Sequence, residues 1–259
     1  MFSTEDYLKR IKIGKALFPD ADFLSALHYS HLRHIPYENF SIINKTIISL
    51  DEDDLFEKMV KGCRGGFCYE LIFLFKRLLS DLGYDVELLS ARIFHGQDLM
   101  QGPEFDHSIL LVKIKNESWL VDVGNALWFS KPLLLSNEEI QIQNHQHFRI
   151  LKNNENEYTL FEKGSYKNKE TPQYTFNLKP RLNSDFNDIC HYKWTSPESK
   201  FTKEYICSRI TVTGRIYLKE SGLIIIENGE RSVIPVADKN EFRYYLSKYF
   251  PFITTGLVR

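Results

Sequence analysis

An α+β fold is predicted for this chain by three observations on its sequence. Apolar residues at helical spacing fill the first third. Short runs of strand character separated by polar turns take over near residue 85. The order is helices, then strands, then a mixture, without the regular strand–helix alternation of a parallel-sheet protein.

Each element follows from local signals. Thr4-Glu5-Asp6 opens a short helix, with acids at its positive end. Residues 22–33 carry Leu24, Leu27 and His31 at helical spacing. His34-Ile35-Pro36 ends that helix, because the residue before proline is pushed out of the α region. Residues 51–60 form another helix, opened by a cluster of acids. The strongest helix is 68–82, with Leu71, Phe75, Leu78, Leu79 and Leu82 on one apolar face and Gly83 as its stop. Strands are expected over 86–94, 107–114 and 118–123, the last two joined by Lys115-Asn116-Glu117. Further strands at 148–151, 157–162 and 173–178 point to a barrel or a strongly bent sheet. After Ser196-Pro197 come strands near 206–218, 223–227 and 232–235, then a last helix over 239–249 that Pro251 ends. No internal repeat or low-complexity tract is present.

Composition narrows the function. With 43% hydrophobic and 26% charged residues the chain has ordinary globular composition, and its length allows a core that needs no staples. A net charge of -1 with mixed signs gives no footprint for nucleic acid or a membrane surface. MFSTEDYLKR has no signal-peptide h-region, and no apolar run approaches the roughly 18 residues of a spanning helix. Cys63, Cys68, Cys190 and Cys207 are too few and scattered for a disulfide scaffold. The expectation is a soluble cytoplasmic protein with reduced thiols, without nucleic-acid or membrane partners.

The candidate chemistry lies in KGCRGGFCYE, residues 61–70. Cys68 starts the strongest helix, and Gly65 and Gly66 let the backbone turn sharply before it. Unpaired N–H groups and the helix dipole favour negative charge there. The thiolate is the nucleophilic form of cysteine, and the Cys68 N–H can donate to a developing oxyanion. The alternative is a free cysteine that is merely a small buried apolar side chain. A nucleophile needs a base, and the base an orienter. His107 begins one expected strand and Asp122 ends its neighbour. Across an even-length hairpin loop, odd positions of one strand share a face with even positions of the other, so the two side chains meet on one face. Direct opposition would centre the turn between Ile114 and Lys115, whereas the sequence places it nearer Asn116-Glu117. A bulge or a longer loop is expected to absorb the difference. Asp122 sits among Leu120, Val121 and Val123, where a carboxylate needs a partner. Taken singly, Asp122 could cap a turn and His107 could be solvated; their occurrence together with Cys68 favours a site. A rival reading uses Cys63 and Cys68, with His95 or His107, as zinc ligands or a redox pair. C-x4-C is looser than C-x2-C and no second cysteine pair exists, so no metal is expected, and Cys63 is expected to pack beneath the loop.

These residues resemble a known family, the arylamine N-acetyltransferases. Arg64-Gly65-Gly66-Phe67-Cys68-Tyr69-Glu70-Leu71 resembles its RGGxCxE active-site motif, and His34-Ile35-Pro36-Tyr37-Glu38-Asn39-Phe40 its IPFEN segment. His107 and Val121-Asp122-Val123-Gly124 fall where the family keeps its other catalytic residues, and Ser196-Pro197-Glu198-Ser199-Lys200-Phe201 resembles SPxSxF. Four segments in family order span most of the chain. The resemblance implies an N-terminal helical bundle carrying the nucleophile (1–84), a central antiparallel β-barrel carrying His and Asp (85–195) and a C-terminal α/β lid (196–259), with a cysteine-protease- or transglutaminase-like core. It implies a Cys68–His107–Asp122 triad that passes an acetyl group from acetyl-CoA, through a Cys68 thioester, to an arylamine, arylhydrazine or N-hydroxyarylamine, a chemistry of xenobiotic metabolism. It implies no permanently bound cofactor. Tyr37, Phe67 and Asn125 are the expected substrate-binding residues, and Arg64 and Glu38 are expected to pair beneath the loop.

The chain departs from the family in three places. Asn125-Ala126 stands where Phe-Gly commonly follows VDVG, so a smaller, more polar wall is expected. Asp106 replaces the Thr or Ser before the histidine; its carboxylate either stabilises imidazolium or faces solvent. Ile72 replaces an asparagine. An amide synthase of secondary metabolism on the same scaffold, fed by a carrier protein, is the alternative function, and a thiol hydrolase a further one.

Overall fold

The computed structural model describes residues 1–136, 138–164, 169–251, 253 and 258. Four of its described helices begin at a short polar side chain that caps them: Ser3, Asp20, Asp51 and Asp238. Ser3 accepts from the Asp6 N–H at the start of α1 (Thr4–Arg10), and Asp20 from the Phe23 N–H at the start of α2 (Ala21–His34). Ile35 leaves the helix before Pro36, and the chain runs through a two-residue strand, β1 (Tyr37–Glu38), into the short α3 (Phe40–Ile43). Asp51 caps α4 (Glu52–Phe56), which widens into a π turn over Glu57–Lys61. The next helix, α5 (Cys68–Asp81), ends at Leu82, and Gly83 follows with φ of 87°. Its sequence pattern predicts one apolar face. The structure buries Tyr69, Ile72, Phe73 and Leu74 as well, because α5 runs through the middle of the molecule rather than along its surface.

The strands that follow are β2 (Asp85–His95), β3 (Met100–Gln101), β4 (His107–Ile114), β5 (Glu117–Val121), β6 (Leu133–Leu134), β7 (Gln141–Gln143), β8 (Gln146–Lys152), β9 (Glu157–Gly164) and β10 (Thr171–Asn177). They form one antiparallel sheet in the order β6-β5-β4-β2-β10-β9-β8-β7, with β3 paired to β2. Side-chain amides bring its two edges together. Gln141 of β7 accepts from the Leu134 N–H and donates to the Leu134 carbonyl, at 2.8 and 2.9 Å. Gln143 does the same for Lys131, each at 2.9 Å. These amides mimic backbone pairing and nearly close the sheet into a barrel.

After α6 (Asn187–Thr195) comes a second sheet of β11 (Ile206–Ile210), β12 (Gly214–Lys219), β13 (Gly222–Glu227) and β14 (Glu230–Pro235), followed by α7 (Lys239–Tyr249). The long strand expected near 206–218 is therefore a hairpin, turning through Thr211–Thr213. Gly214 sits where a Cβ would lie 1.9 Å from the Ile226 carbonyl oxygen, so only glycine fits. The sheet order is β1-β11-β12-β13-β14, so β1 from the first third of the chain completes the C-terminal sheet.

Among the described residues, buried apolar side chains form three clusters: one around α5, one filling the barrel and one between the second sheet and α7. Strands β2 and β4 are buried on both faces. Leu88, Leu110 and Val112 pack towards α5, while Leu89, Ile109 and Leu111 fill the barrel. Among the described residues no helix is long and apolar enough to cross a membrane.

Candidate active site

The loop before Cys68 is held by the strand it runs beside. The Gly66 N–H donates to the Pro36 carbonyl at 3.3 Å, and the Glu38 N–H to the Gly66 carbonyl at 2.9 Å. A Cβ on Gly65 would lie 2.1 Å from the Pro36 carbonyl oxygen, so the close approach requires glycine. Arg64 and Glu38 pair as expected: Nε and Nη2 donate to Oε1 at 2.9 and 2.7 Å, and the other Glu38 oxygen accepts from the Phe40 N–H at 2.6 Å. Glu70 reaches back to accept from the Phe67 N–H at 3.0 Å and receives Lys58 Nζ at 2.7 and 2.8 Å. Cys68 is thus the first residue of a firmly anchored helix, 5% exposed.

Strands β4 and β5 deliver the other two groups. Ile114 pairs with Glu117 and Leu110 with Val121. Extending that register puts His107 opposite Gly124, and Asp122 diagonally adjacent on the same face. The face assignment from parity is correct, and the expected bulge is unnecessary because the pair is diagonal rather than directly opposed. His107 Nε2–H donates to Asp122 Oδ2 at 2.9 Å, and the Gly124 N–H donates to Asp122 Oδ1 at 2.8 Å. Gly124 is the residue that fits there, since a Cβ would lie 2.9 Å from His107 Cε1. Cys68 and His107 line the same cavity, and the cysteine side chain acts on the imidazole. Burial alone disfavours the imidazolium, but the Asp122 charge and the bonds to Asp122 and Cys68 outweigh it, and the His107 pKa rises to about 9. Trp128 meets the ring edge-on with centroids 5.1 Å apart, and Tyr174 packs at 6.0 Å.

Cys68, His107 and Asp106 line a cavity of about 370 Å³ together with Tyr37, Asn125 and Gly124. Lys193, Lys200, Lys203 and Lys219 also line it, against the carboxylates of Asp106 and Glu204, so the cavity carries a cationic excess. Asp106 faces neither His107 nor open solvent. Its oxygens receive His95 Nε2 at 2.6 Å and Lys193 Nζ at 2.9 Å. Burial opposes its ionisation, but His95 and Lys193 hold the carboxyl well below the usual carboxylate range.

The structure thus brings together Cys68, His107 and Asp122, and sets Tyr37 and Asn125 on the same cavity. Phe67 lies elsewhere: its side chain is fully buried against Tyr69 and Phe201, and it does not line the cavity. Cys63 does not pack beneath the loop as expected. It is an exposed free thiol at a turn with φ of 52°. Sequence reasoning also missed Trp128, Tyr174 and Lys193, which carry no motif, and His28. Spacing could have signalled His28, which falls one helical turn from Leu24 and one position from Leu27 on the buried face of α2.

A buried thiol, imidazole and carboxylate in series at a helix start define the class of thiol-dependent acyl-transfer and hydrolytic sites. A family model described as N-acetyltransferase matches residues 20–254. The chain belongs to the arylamine N-acetyltransferase family. It is 32% identical over 263 aligned residues to proansamycin X synthase of Amycolatopsis mediterranei, covering 96% of each chain. Against the arylamine N-acetyltransferase of Escherichia coli it is 29% identical, covering 86% of this chain and 79% of the relative. Its fold matches that of arylamine N-acetyltransferase from M. tuberculosis with a TM-score of 0.90, at 27% identity and over 99% and 96% of the two chains.

Proposed function

We propose that the protein is an acetyl-CoA-dependent acyltransferase that moves an acetyl group through a Cys68 thioester to an arylamine, arylhydrazine or N-hydroxyarylamine. One observation carries the reading: in a member of this family, Cys68 and His107 line one cavity, and the buried Asp122 carboxylate accepts from the far edge of the imidazole. With its pKa near 9, His107 is imidazolium at neutral pH, a cation on the cavity that Cys68 lines, and the thiolate is the nucleophilic form of cysteine. The thiolate attacks the acetyl carbonyl carbon, forming an S–C bond while the carbonyl pair moves onto oxygen. The Cys68 N–H at the start of α5 donates to that oxyanion. Collapse breaks the bond to the CoA sulfur, His107 gives that sulfur its proton, and CoA leaves as the thiol. An amine then attacks the thioester carbonyl, His107 takes the proton from nitrogen, and Cys68 departs as thiolate beside the restored imidazolium.

Asp122 fixes the tautomer of His107 and stabilises its charged form. Tyr37 and Asn125 form the acceptor wall, and the lysine-rich rim suits the phosphates of CoA as a co-substrate; no cofactor is permanently bound. The division at 1–84, 85–195 and 196–259 is supported by the barrel strands falling within 85–195 and by β11 to β14 and α7 falling within 196–259, and a cytoplasmic location by the unpaired thiols. Incubation with acetyl-CoA and no acceptor is expected to leave one acetyl group on Cys68 by intact and peptide mass. An unmodified protein, or an acetyl group retained by Cys68→Ala, overturns the reading.

A second reading, an amide synthase of secondary metabolism on the same triad, is favoured by the identity to a synthase across 96% of both chains. A panel of acyl donors and amines against acetylated and longer-chain acyl-enzyme separates the two.

A further inference from the structure

Asp122 lies one residue beyond the end of β5, and like Ser118, whose carbonyl accepts from the Leu135 N–H, its peptide faces the β6 side, where pairing stops at Leu120–Leu133. Its peptide therefore lacks the strand partner that holds its neighbours, yet its carboxylate must point at His107 within a fraction of an ångström. The fixing contact comes from the other side of the molecule. His28, in the middle of α2 and 0% exposed, places Nε2 3.0 Å from the Asp122 carbonyl oxygen and 3.3 Å from the Asp122 nitrogen. Its Nδ1 lies 3.0 Å from the Ser130 carbonyl oxygen. The ring stacks on Phe129, with centroids 5.6 Å apart and planes 11° from parallel, and takes the edge of Phe75.

Burial lowers the His28 pKa to about 4 against the weaker pull of Ser130 and Asp122, so the ring is neutral at working pH and carries one N–H. With the proton on Nδ1, it donates to Ser130 and accepts the Asp122 N–H. With the proton on Nε2, it donates to the Asp122 carbonyl. Either tautomer bonds to the Asp122 peptide, and the first also ties down Ser130. We propose that His28 is a positioning residue of the acyl-transfer site: it supplies the backbone partner that the sheet does not, and so sets the angle at which Asp122 holds His107. The inference rests on the Cys68–His107–Asp122 reading given above. It makes α2 a structural support of the base, which no catalytic motif in the sequence marks.

The test uses the full chain in a Cys63→Ala background, with three variants. His28→Phe keeps the ring and its stacking but loses both polar contacts. His28→Gln places an amide where Nε2 was, and His28→Asn places one where Nδ1 was. Near-ultraviolet circular dichroism reports folding, and two readouts follow: the pH profile of Cys68 alkylation by iodoacetamide, and the rate of Cys68 acetylation by acetyl-CoA. In folded His28→Phe the acetylation rate at saturating acetyl-CoA is expected to fall about 100-fold, the cost of a misplaced catalytic group. The alkylation profile should move towards that of an ordinary thiol, with KM little changed. His28→Gln should keep the parent's profile and His28→Asn should lose it, a comparison that decides the matter if the Phe variant does not fold. Parent-like profiles and rates in folded His28→Phe, or in both amide variants, overturn the proposal whatever their stability. If the parent is not acetylated by acetyl-CoA, the proposed function fails, and the alkylation profiles alone still decide His28.

Discussion

Asp122→Asn is the most informative single change, because the structure dictates which way the new amide must face. Oδ1 accepts the Gly124 N–H at 2.8 Å, and Oδ2 accepts His107 Nε2–H at 2.9 Å. An asparagine keeps its oxygen on Gly124 and turns its NH₂ towards Nε2. Two donors cannot face each other, so the His107 proton moves to Nδ1, the edge away from Asp122, and the ring can no longer take a proton there. The charge is lost as well. A rise from 6.5 to about 9 favours imidazolium over imidazole by about 300-fold, or about 3.4 kcal/mol, relative to an unperturbed ring. Burial alone would push the ring the other way, so the variant should be neutral at pH 7. The expected result is loss of most Cys68 alkylation at pH 7 and an acetylation rate lower by about 10³–10⁴-fold. Stability offers an independent check. A raised histidine pKa contributes stability that is complete below pH 6.5 and lost as pH rises through about 9. Urea unfolding of the parent should weaken across that window by up to about 3 kcal/mol, and that part of the slope should vanish in Asp122→Asn. Retention of the parent's alkylation profile in the variant would refute the ion-pair account.

Other expectations are simpler to test. Cys68→Ala should show no acyl-enzyme by intact mass, while Cys63→Ala, altering an exposed turn, should keep most of the turnover; equal loss in both would contradict the assignment of the nucleophile. Gly124→Ala places a Cβ 2.9 Å from His107 Cε1 and 3.2 Å from Ile72 Cγ1. The imidazole must give way, with a loss of acetylation of about 10- to 100-fold, and an unchanged rate would show the ring to be free to shift at no cost. Asn125→Phe fills the cavity wall and removes the bond that Asn125 Oδ1 accepts from the Leu127 N–H. It should change the ranking of amine acceptors in steady-state assays while leaving acetyl-enzyme formation alone; a change in the first half-reaction would count against the wall assignment. Acid should destabilise the fold early. The unfolded chain binds a proton at His28 below pH 6.5 that the native ring refuses until about pH 4, a loss of about 3 kcal/mol by pH 4. Urea midpoints should fall over that range, and fall less in His28→Gln.

Much of this protein was legible in residue order alone. Helix starts are local chemistry, so Cys68 could be placed at the first turn of its helix from Gly65, Gly66 and the apolar run behind it. Strand faces alternate with a period of two, so parity alone put His107 and Asp122 on one side of a hairpin before any distance was known. Tertiary structure decided what no local rule reaches. The register is set by a turn at Lys115-Asn116, which makes the His107–Asp122 pair diagonal and removes the need for a bulge. Whether Asp106 faces solvent depends on His95 and Lys193, the latter 87 residues away in sequence from it. Phe67 reads as a pocket residue and Cys63 as a buried one, and packing reverses both. His28 reads only as one more residue of an amphipathic helix. Its role depends on where β5 stops, because a sheet that ends one residue short of Asp122 leaves a peptide for a distant helix to hold.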